Sequence, residues 1–215
     1  MKYTPINQKH IDFFIKKLGE KNILVGDACN NYGSDETENL NYPPELVLFP
    51  NSAKEVSKIL HYCNNNSIAV TPSGALTGLS GGAIPVFGGV SLSMNRMNKV
   101  LSIDEKNFQA TIEPGLINEE FQNILKERKL FYPPDPASKG TCTLGGNFAL
   151  NAGGPKAVKY GVTSNYILNL EVVLPNGEIL WTGANTLKNA TGYNLTQLII
   201  GSEGTLAVIT KAVLK

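Results

Sequence analysis

Apolar residues recur at helical spacing near the start of the chain. Ile11, Phe14, Ile15 and Leu18 share one face, and Gly19 is a natural stop, so residues 7–20 are predicted to be helical. Val25 to Asn41 is polar and turn-rich. Pro43 and Pro44 then lead into Leu46-Val47-Leu48-Phe49, a short buried-strand pattern ended by Pro50. Ser52 with Glu55 three residues on reads as a capping box, and Val56, Ile59, Leu60 and Cys63 form the face of the helix it starts. Asn64 to Asn66 ends that helix, and Ile68-Ala69-Val70 is predicted as a second strand, completing a βαβ unit. Val90 to Met94 alternates as a third strand. Val100 to Ile103 and Gln109 to Ile112 alternate as strands of a different sheet. Pro114-Gly115 makes a turn, Asn118 to Lys129 is helical with Phe121, Ile124 and Leu125 on one face, and a last strand runs to Leu214. The pattern divides the chain into a lead-in (1–42), a parallel α/β part (43–95) and a mixed, mostly antiparallel α+β part (96–215).

Composition narrows the class. The chain has 215 residues, 42% apolar and 17% charged, a globular balance with enough length for a sizeable core. Nineteen Lys and Arg against 18 Asp and Glu leave a formal charge of +1, which argues against nucleic-acid binding driven by phosphate contacts. Cys29, Cys63 and Cys142 are far apart and odd in number, which fits a reduced chain better than a disulfide scaffold. No apolar run is long enough to insert in a membrane, and the first residues lack a signal-peptide core, so the expected location is the cytoplasm.

Most of the candidate chemistry lies in glycine-rich stretches. Thr71 to Gly82 reads Thr-Pro-Ser-Gly-Ala-Leu-Thr-Gly-Leu-Ser-Gly-Gly, uncharged and directly after a strand pattern. Such a loop can present main-chain N–H groups to an anion, with hydroxyls of Ser73, Thr77 and Ser80 as further donors. It can equally be a flexible surface loop. It lacks the Gly-Lys-Ser/Thr ending of a P-loop and the Gly-x-Gly-x-x-Gly spacing of the dinucleotide fingerprint. Tyr132-Pro133-Pro134-Asp135-Pro136 is stiff and extended. Thr143-Leu144-Gly145-Gly146-Asn147 and Asn151-Ala152-Gly153-Gly154 offer backbone with few side chains, suited to lie flat on a planar ring. In Gly201-Ser202-Glu203-Gly204-Thr205-Leu206, Glu203 either accepts a ligand hydroxyl or points to solvent. Four such stretches with little charge favour a large, flat cofactor.

Together these motifs resemble the FAD-binding (PCMH-type) domain of the vanillyl-alcohol oxidase superfamily. Within it they are similar to the group of glycolate oxidase, D-lactate dehydrogenase and D-2-hydroxyglutarate dehydrogenase. The matching pieces are residues 72–82, 133–136, 145–147, 151–154, Tyr160-Gly161 and 201–206, in family order, and the Tyr32 to Asp35 stretch also fits. The resemblance implies an α+β fold of two subdomains with FAD between them. It implies that Pro72, Ser73, Gly74, Ala75, Leu76, Thr77, Gly78, Leu79 and Ser80 hold the pyrophosphate through the backbone. Pro134, Asp135, Pro136 and Ala137, with Cys142, Thr143, Leu144, Gly145, Gly146 and Asn147, would line the flavin and ribityl side. Asn151, Ala152, Gly153, Gly154, Tyr160 and Gly161 would complete the pocket, and Glu203, Gly204 and Ile209 would sit near the adenosine.

The only histidines, His10 and His61, lie outside the motifs, so the FAD is expected to be non-covalent, and Cys142 is read as a small packing residue. Family enzymes continue into a substrate domain with a histidine-rich metal site, whereas this sequence offers no general base and no metal-ligating set. The resemblance implies the FAD-binding domain of a D-2-hydroxy-acid oxidase or dehydrogenase, inactive by itself. The alternative is an FAD-holding structural or electron-transfer subunit. A reductase of the cell-wall UDP-sugar type fits the motifs less well.

Overall fold

The structure, a computed structural model, describes residues 3–215. Helix α1 (Gln8–Leu18) starts where the Asn7 side chain accepts the His10 N–H and the His10 ring accepts the Asn7 N–H, both at 3.3 Å. Phe14 and Leu18 are buried as the periodicity predicts, but Ile15 is 37% exposed. Helix α2 (Ala53–Asn65) buries all four residues of its predicted face. Its cap is half of the expected box. Ser52 Oγ accepts the Glu55 N–H, but the Glu55 carboxylate accepts from the Asn51 N–H, one residue before the cap.

These helices pack with a four-stranded sheet of β1 (Ile23–Val25), β2 (Leu46–Leu48), β3 (Val70–Ser73) and β4 (Val90–Ser93), in the order β1-β2-β4-β3. β2, β4 and β3 run parallel, and β1 is antiparallel to β2. The βαβ unit of β2, α2 and β3 is present, with β4 inserted between its strands. Two details depart from the sequence reading. β3 begins at Val70 and continues into Ser73, so the glycine loop springs directly from the strand; Ile68 and Ala69 are buried ahead of it. β4 is buried at every position instead of alternating, because both of its faces are covered: Val90 and Leu92 join the first core, and Ser91 and Ser93 are buried on the other face. β1, between the first predicted helix and the stretch read as turns, went unpredicted because three residues carry no measurable period.

The second sheet contains β5 (Val100–Asp104), β6 (Gln109–Ile112), β7 (Ile167–Val173), β8 (Ile179–Trp181) and β9 (Val208–Leu214), in the order β5-β6-β9-β7-β8. Every neighbouring pair is antiparallel. Helices α3 (Asn118–Glu127) and α4 (Leu144–Leu150) supply Phe121, Leu125, Leu144 and Phe148 to the core on it. Two short helices, α5 (Ala157–Tyr160) and α6 (Leu195–Ile199), complete the set.

The two cores meet. Val173 and Val208, at the ends of β7 and β9, pack into the first core. Beside them the β7–β8 turn sits on α2. Ser57 Oγ donates to the Gly177 carbonyl at 2.5 Å, and the His61 ring lies 3.0 Å from the Asn176 carbonyl. Gly177 is required here: its φ is +90°, and a Cβ would come within 2.8 Å of the Ser57 carbonyl. Cys63, inside the first core, has its thiol pushed up to about 12 by burial and is a packing residue.

Leu92 lies at the centre of β4 and is fully buried. Leu92→Ala should therefore cost about 2–5 kcal/mol, read as a lower denaturant midpoint with an unchanged slope. A loss below about 1 kcal/mol would show that this strand is not the centre of the first core.

Candidate functional site

The end of β3 opens into a cavity of about 440 Å³ at the junction of the two sheets. One wall is the loop that follows β3. Among the described residues, no main-chain N–H from Gly74 to Ala83 donates to a protein acceptor. No residue from Gly74 to Ala83 is buried, and Leu79, Ser80 and Gly82 are exposed, but a run of free N–H groups along a cavity forms a site for an anion. Two of the three loop hydroxyls already have protein partners. Ser73 Oγ lies 3.2 Å from Ser91 Oγ, inside the sheet, and Ser80 Oγ donates to Glu203 Oε2 at 3.1 Å.

Three contacts hold this loop in place. At its start, a Cβ added to Gly74 would collide with Thr143 Oγ1. Thr143 cannot easily retreat, because its hydroxyl caps α4 by accepting the Gly146 N–H at 3.3 Å. At its middle, the Glu36 N–H donates to the Gly78 carbonyl at 3.1 Å. At its end, Gly82 lies so close to Glu203 that a Cβ would strike the carboxylate. Glu203, with φ +52°, belongs to a turn tied to α4: its N–H donates to the Ala149 carbonyl and that of Gly201 to Phe148, both at 3.0 Å. The carboxylate thus meets Ser80, while Glu203 remains exposed and on the cavity wall.

The first Gly-Gly pair is not an extended ribbon. Gly145 and Gly146 lie in the first turn of α4 because Thr143 caps it. Gly145 allows that turn to approach Pro114, to whose carbonyl it donates at 2.7 Å; a Cβ would come within 2.6 Å of the proline ring. Asn147 is buried and donates to Asn118 Oδ1 at 3.1 Å.

The structure brings Pro72 to Ser80, Pro136, Cys142, Thr143, Gly145, Gly146, Asn147, Ala152, Glu203, Gly204 and Ile209 onto one cavity wall. Others named from the sequence stand behind it. Leu144 points into the second core. The Pro134 carbonyl accepts from Asn118 and Gln122. Asp135 pairs with Lys156 at 3.0 Å and is packed against Gly154. Asn151, left-handed at φ +51°, accepts the Ser164 N–H at 2.9 Å. Tyr160 meets Phe131 edge-on. Ala137, Gly153 and Gly161 also lie off the wall.

The wall includes residues the sequence reading did not assign, among them Asp35, Met94, Pro114, Leu150, Ile199 and Ser202. Met94 ends a predicted strand, Pro114 follows another, and Ser202 lies inside a motif already singled out. Asp35 gave no signal beyond its position in the matching Tyr32 to Asp35 stretch. Asp35 and Glu203 are the charged groups on the wall. Among the described residues, no Lys, Arg or His lines it.

The family described as FAD binding domain matches residues 44–183. The chain is 44% identical over 215 residues to D-lactate dehydrogenase of Anaerostipes hadrus, covering 99% of this chain and 45% of that protein. It is 43% identical over 184 residues to glycolate oxidase subunit GlcD of Bacillus subtilis, covering 86% of this chain and 39% of that one. Over 195 residues it is 38% identical to D-2-hydroxyglutarate dehydrogenase of Stutzerimonas stutzeri, covering 91% and 42%. A solved structure of alkyldihydroxyacetonephosphate synthase superposes with a TM-score of 0.83 at 27% identity, over 98% of this chain and 40% of that chain. The chain thus spans less than half the length of these relatives. The strand-borne amide loop, the capped Gly-Gly helix and the Glu203 turn are the parts of one fold, and the chain belongs to the FAD binding domain family of the vanillyl-alcohol oxidase superfamily.

Proposed function

We propose that this chain holds FAD non-covalently for an oxidoreductase that oxidises a D-2-hydroxy acid. The observation that carries the proposal is the run of unpartnered amides from Gly74 to Ala83, whose residues, Gly81 apart, line the cavity. The residues fit the cofactor. An anionic pyrophosphate needs many donors and close backbone approach, and a loop stripped of side chains supplies both. The cavity volume lies in the range of small-molecule sites, roughly 300–1,000 Å³. Pro136, Cys142, Gly146 and Ala152 offer a wall of small side chains that can exclude water from a planar ring. Pro134, Asp135, Asn151, Gly154 and Tyr160 act behind that wall, keeping its segments in place. Residues 43–95 and 96–215 serve as the two subdomains around the cofactor, with 1–42 as lead-in.

When bound, FAD supplies the hydride acceptor. The names of the relatives favour D-lactate, glycolate or D-2-hydroxyglutarate as the class of substrate. A hydroxy acid must be held by its carboxylate, and a base must reach its hydroxyl proton. Both charges on this wall are anionic and repel such a substrate. A cationic clamp is therefore assigned to a substrate-binding domain, with the base beside it. The same observation favours a second reading, in which the chain holds FAD for another subunit and turns over nothing itself. Among the described residues, no helix is long and apolar enough to cross a membrane. A cytoplasmic location is our reading of the three unpaired cysteines.

Three outcomes are expected. The protein should bind FAD, and acid precipitation should leave all the flavin in the supernatant; flavin in the pellet would show a covalent link. Gly74→Val, which drives a side chain against Thr143, should weaken FAD binding far more than Ser73→Ala. The latter breaks only the bond to Ser91 and should cost about 1 kcal/mol of stability. Equal losses of affinity would point to recognition by the Ser73 side chain. Finally, anaerobic mixing of the FAD-loaded protein with D-lactate, glycolate or D-2-hydroxyglutarate should leave the flavin absorbance unchanged. Bleaching at an enzymic rate would show that the substrate site is complete within these residues.

A further inference from the structure

The site contains one buried side-chain polar atom without a hydrogen-bond partner. Asp35 Oδ1 accepts the Thr37 N–H at 2.8 Å, but Oδ2 is buried, lines the cavity and has no hydrogen-bond partner. It lies beside Gly78, 3.6 Å from where a Cβ would stand. The segment is fixed there, since Glu36 next in sequence donates to the Gly78 carbonyl. A carboxylate oxygen buried without a donor is strongly unfavourable unless a ligand provides one. Thr37 Oγ1 is also unpartnered, but it is off the cavity wall.

The chemistry of that donor can be narrowed. It cannot be a phosphate, which is anionic and would be repelled. It must also lie close to the pyrophosphate, because Gly78 is in the middle of the amide loop. The groups bonded to the pyrophosphate of FAD are the ribityl chain and the adenosine ribose, and both carry neutral hydroxyls. The N–H donors of the adenine and the isoalloxazine stand at the far ends of the molecule. We propose that Asp35 is a binding residue of the cofactor cavity, its Oδ2 accepting a hydrogen bond from a sugar hydroxyl of FAD next to the pyrophosphate. The proposal rests on the FAD reading above. It gives the loop two kinds of recognition: main-chain donors for the anion and one carboxylate acceptor for the neighbouring hydroxyl.

The test is a binding titration of the protein freed of flavin, followed by flavin fluorescence, with no turnover required. Ligands are FAD and FAD analogues each lacking one hydroxyl of the ribityl chain or of the ribose. Asp35→Asn keeps the acceptor for the Thr37 N–H and places an amide NH2 donor where Oδ2 stands. It should bind FAD at least about tenfold more weakly than the wild type. For one analogue the wild type should show a similar loss, and the substitution should then add little, as expected of two partners in one bond. Loss confined to a ribityl analogue or to a ribose analogue tells which sugar is held. Equal FAD affinity in Asp35→Asn overturns the proposal. So does a penalty that persists across every analogue, which would mean that Asp35 only shapes the loop. If the variant does not fold, the wild type still decides: no analogue binding more weakly than FAD overturns the proposal. A wild type that binds no FAD at all sinks the cofactor reading itself.

Discussion

Main-chain N–H groups left without acceptors are the constraint around which this molecule is arranged. From Gly74 to Ala83 the backbone can satisfy itself neither as strand nor as helix, because β3 has ended and no helix follows. The loop must be held open against collapse, and the surrounding fold supplies the holding points. Thr143 stops it at Gly74, Glu36 holds it at Gly78, and Glu203 blocks it at Gly82. Each point comes from a different part of the chain. The loop geometry therefore exists only when both sheets are formed and docked.

That dependence accounts for the tight packing at the junction. Val173 and Val208 share the first core although they belong to the second sheet, and the Gly177 turn sits on α2. α4 is the pivot. Its first turn meets the loop through Thr143, and its last turn anchors Glu203 and Gly201. A short helix with two glycines has little stability of its own. It is kept by its Thr143 cap and by burial of Leu144 and Phe148.

The sequence made the elements with strong periods legible. α2 shows its whole buried face in Val56, Ile59, Leu60 and Cys63, and the Leu46 run marks a strand because prolines bracket it. The site motifs were legible as glycine clusters, which report where backbone must come close to something. What that something is was harder to read. Gly145 approaches Pro114, and Gly154 approaches Asp135, so part of the glycine signal is for packing the protein on itself. The β7 strand was missed although Leu168 to Val172 alternates apolar and polar in sequence; its burial does not alternate, because Asn169 and Glu171 are held under cover by bonds to Gly183, Thr210 and Lys211. Asp35 was missed as a site residue because an acid in a polar stretch, beside Glu36 and Glu38, looks like a solvated turn. Only the fold places it beside Gly78.

The claim that the loop amides wait for an anion can be tested by hydrogen exchange of residues 74–83, with and without saturating FAD. The account expects fast exchange in the free protein and marked protection on binding, concentrated in this segment. Amides already protected in the free protein, or unchanged when FAD saturates it, would contradict the account.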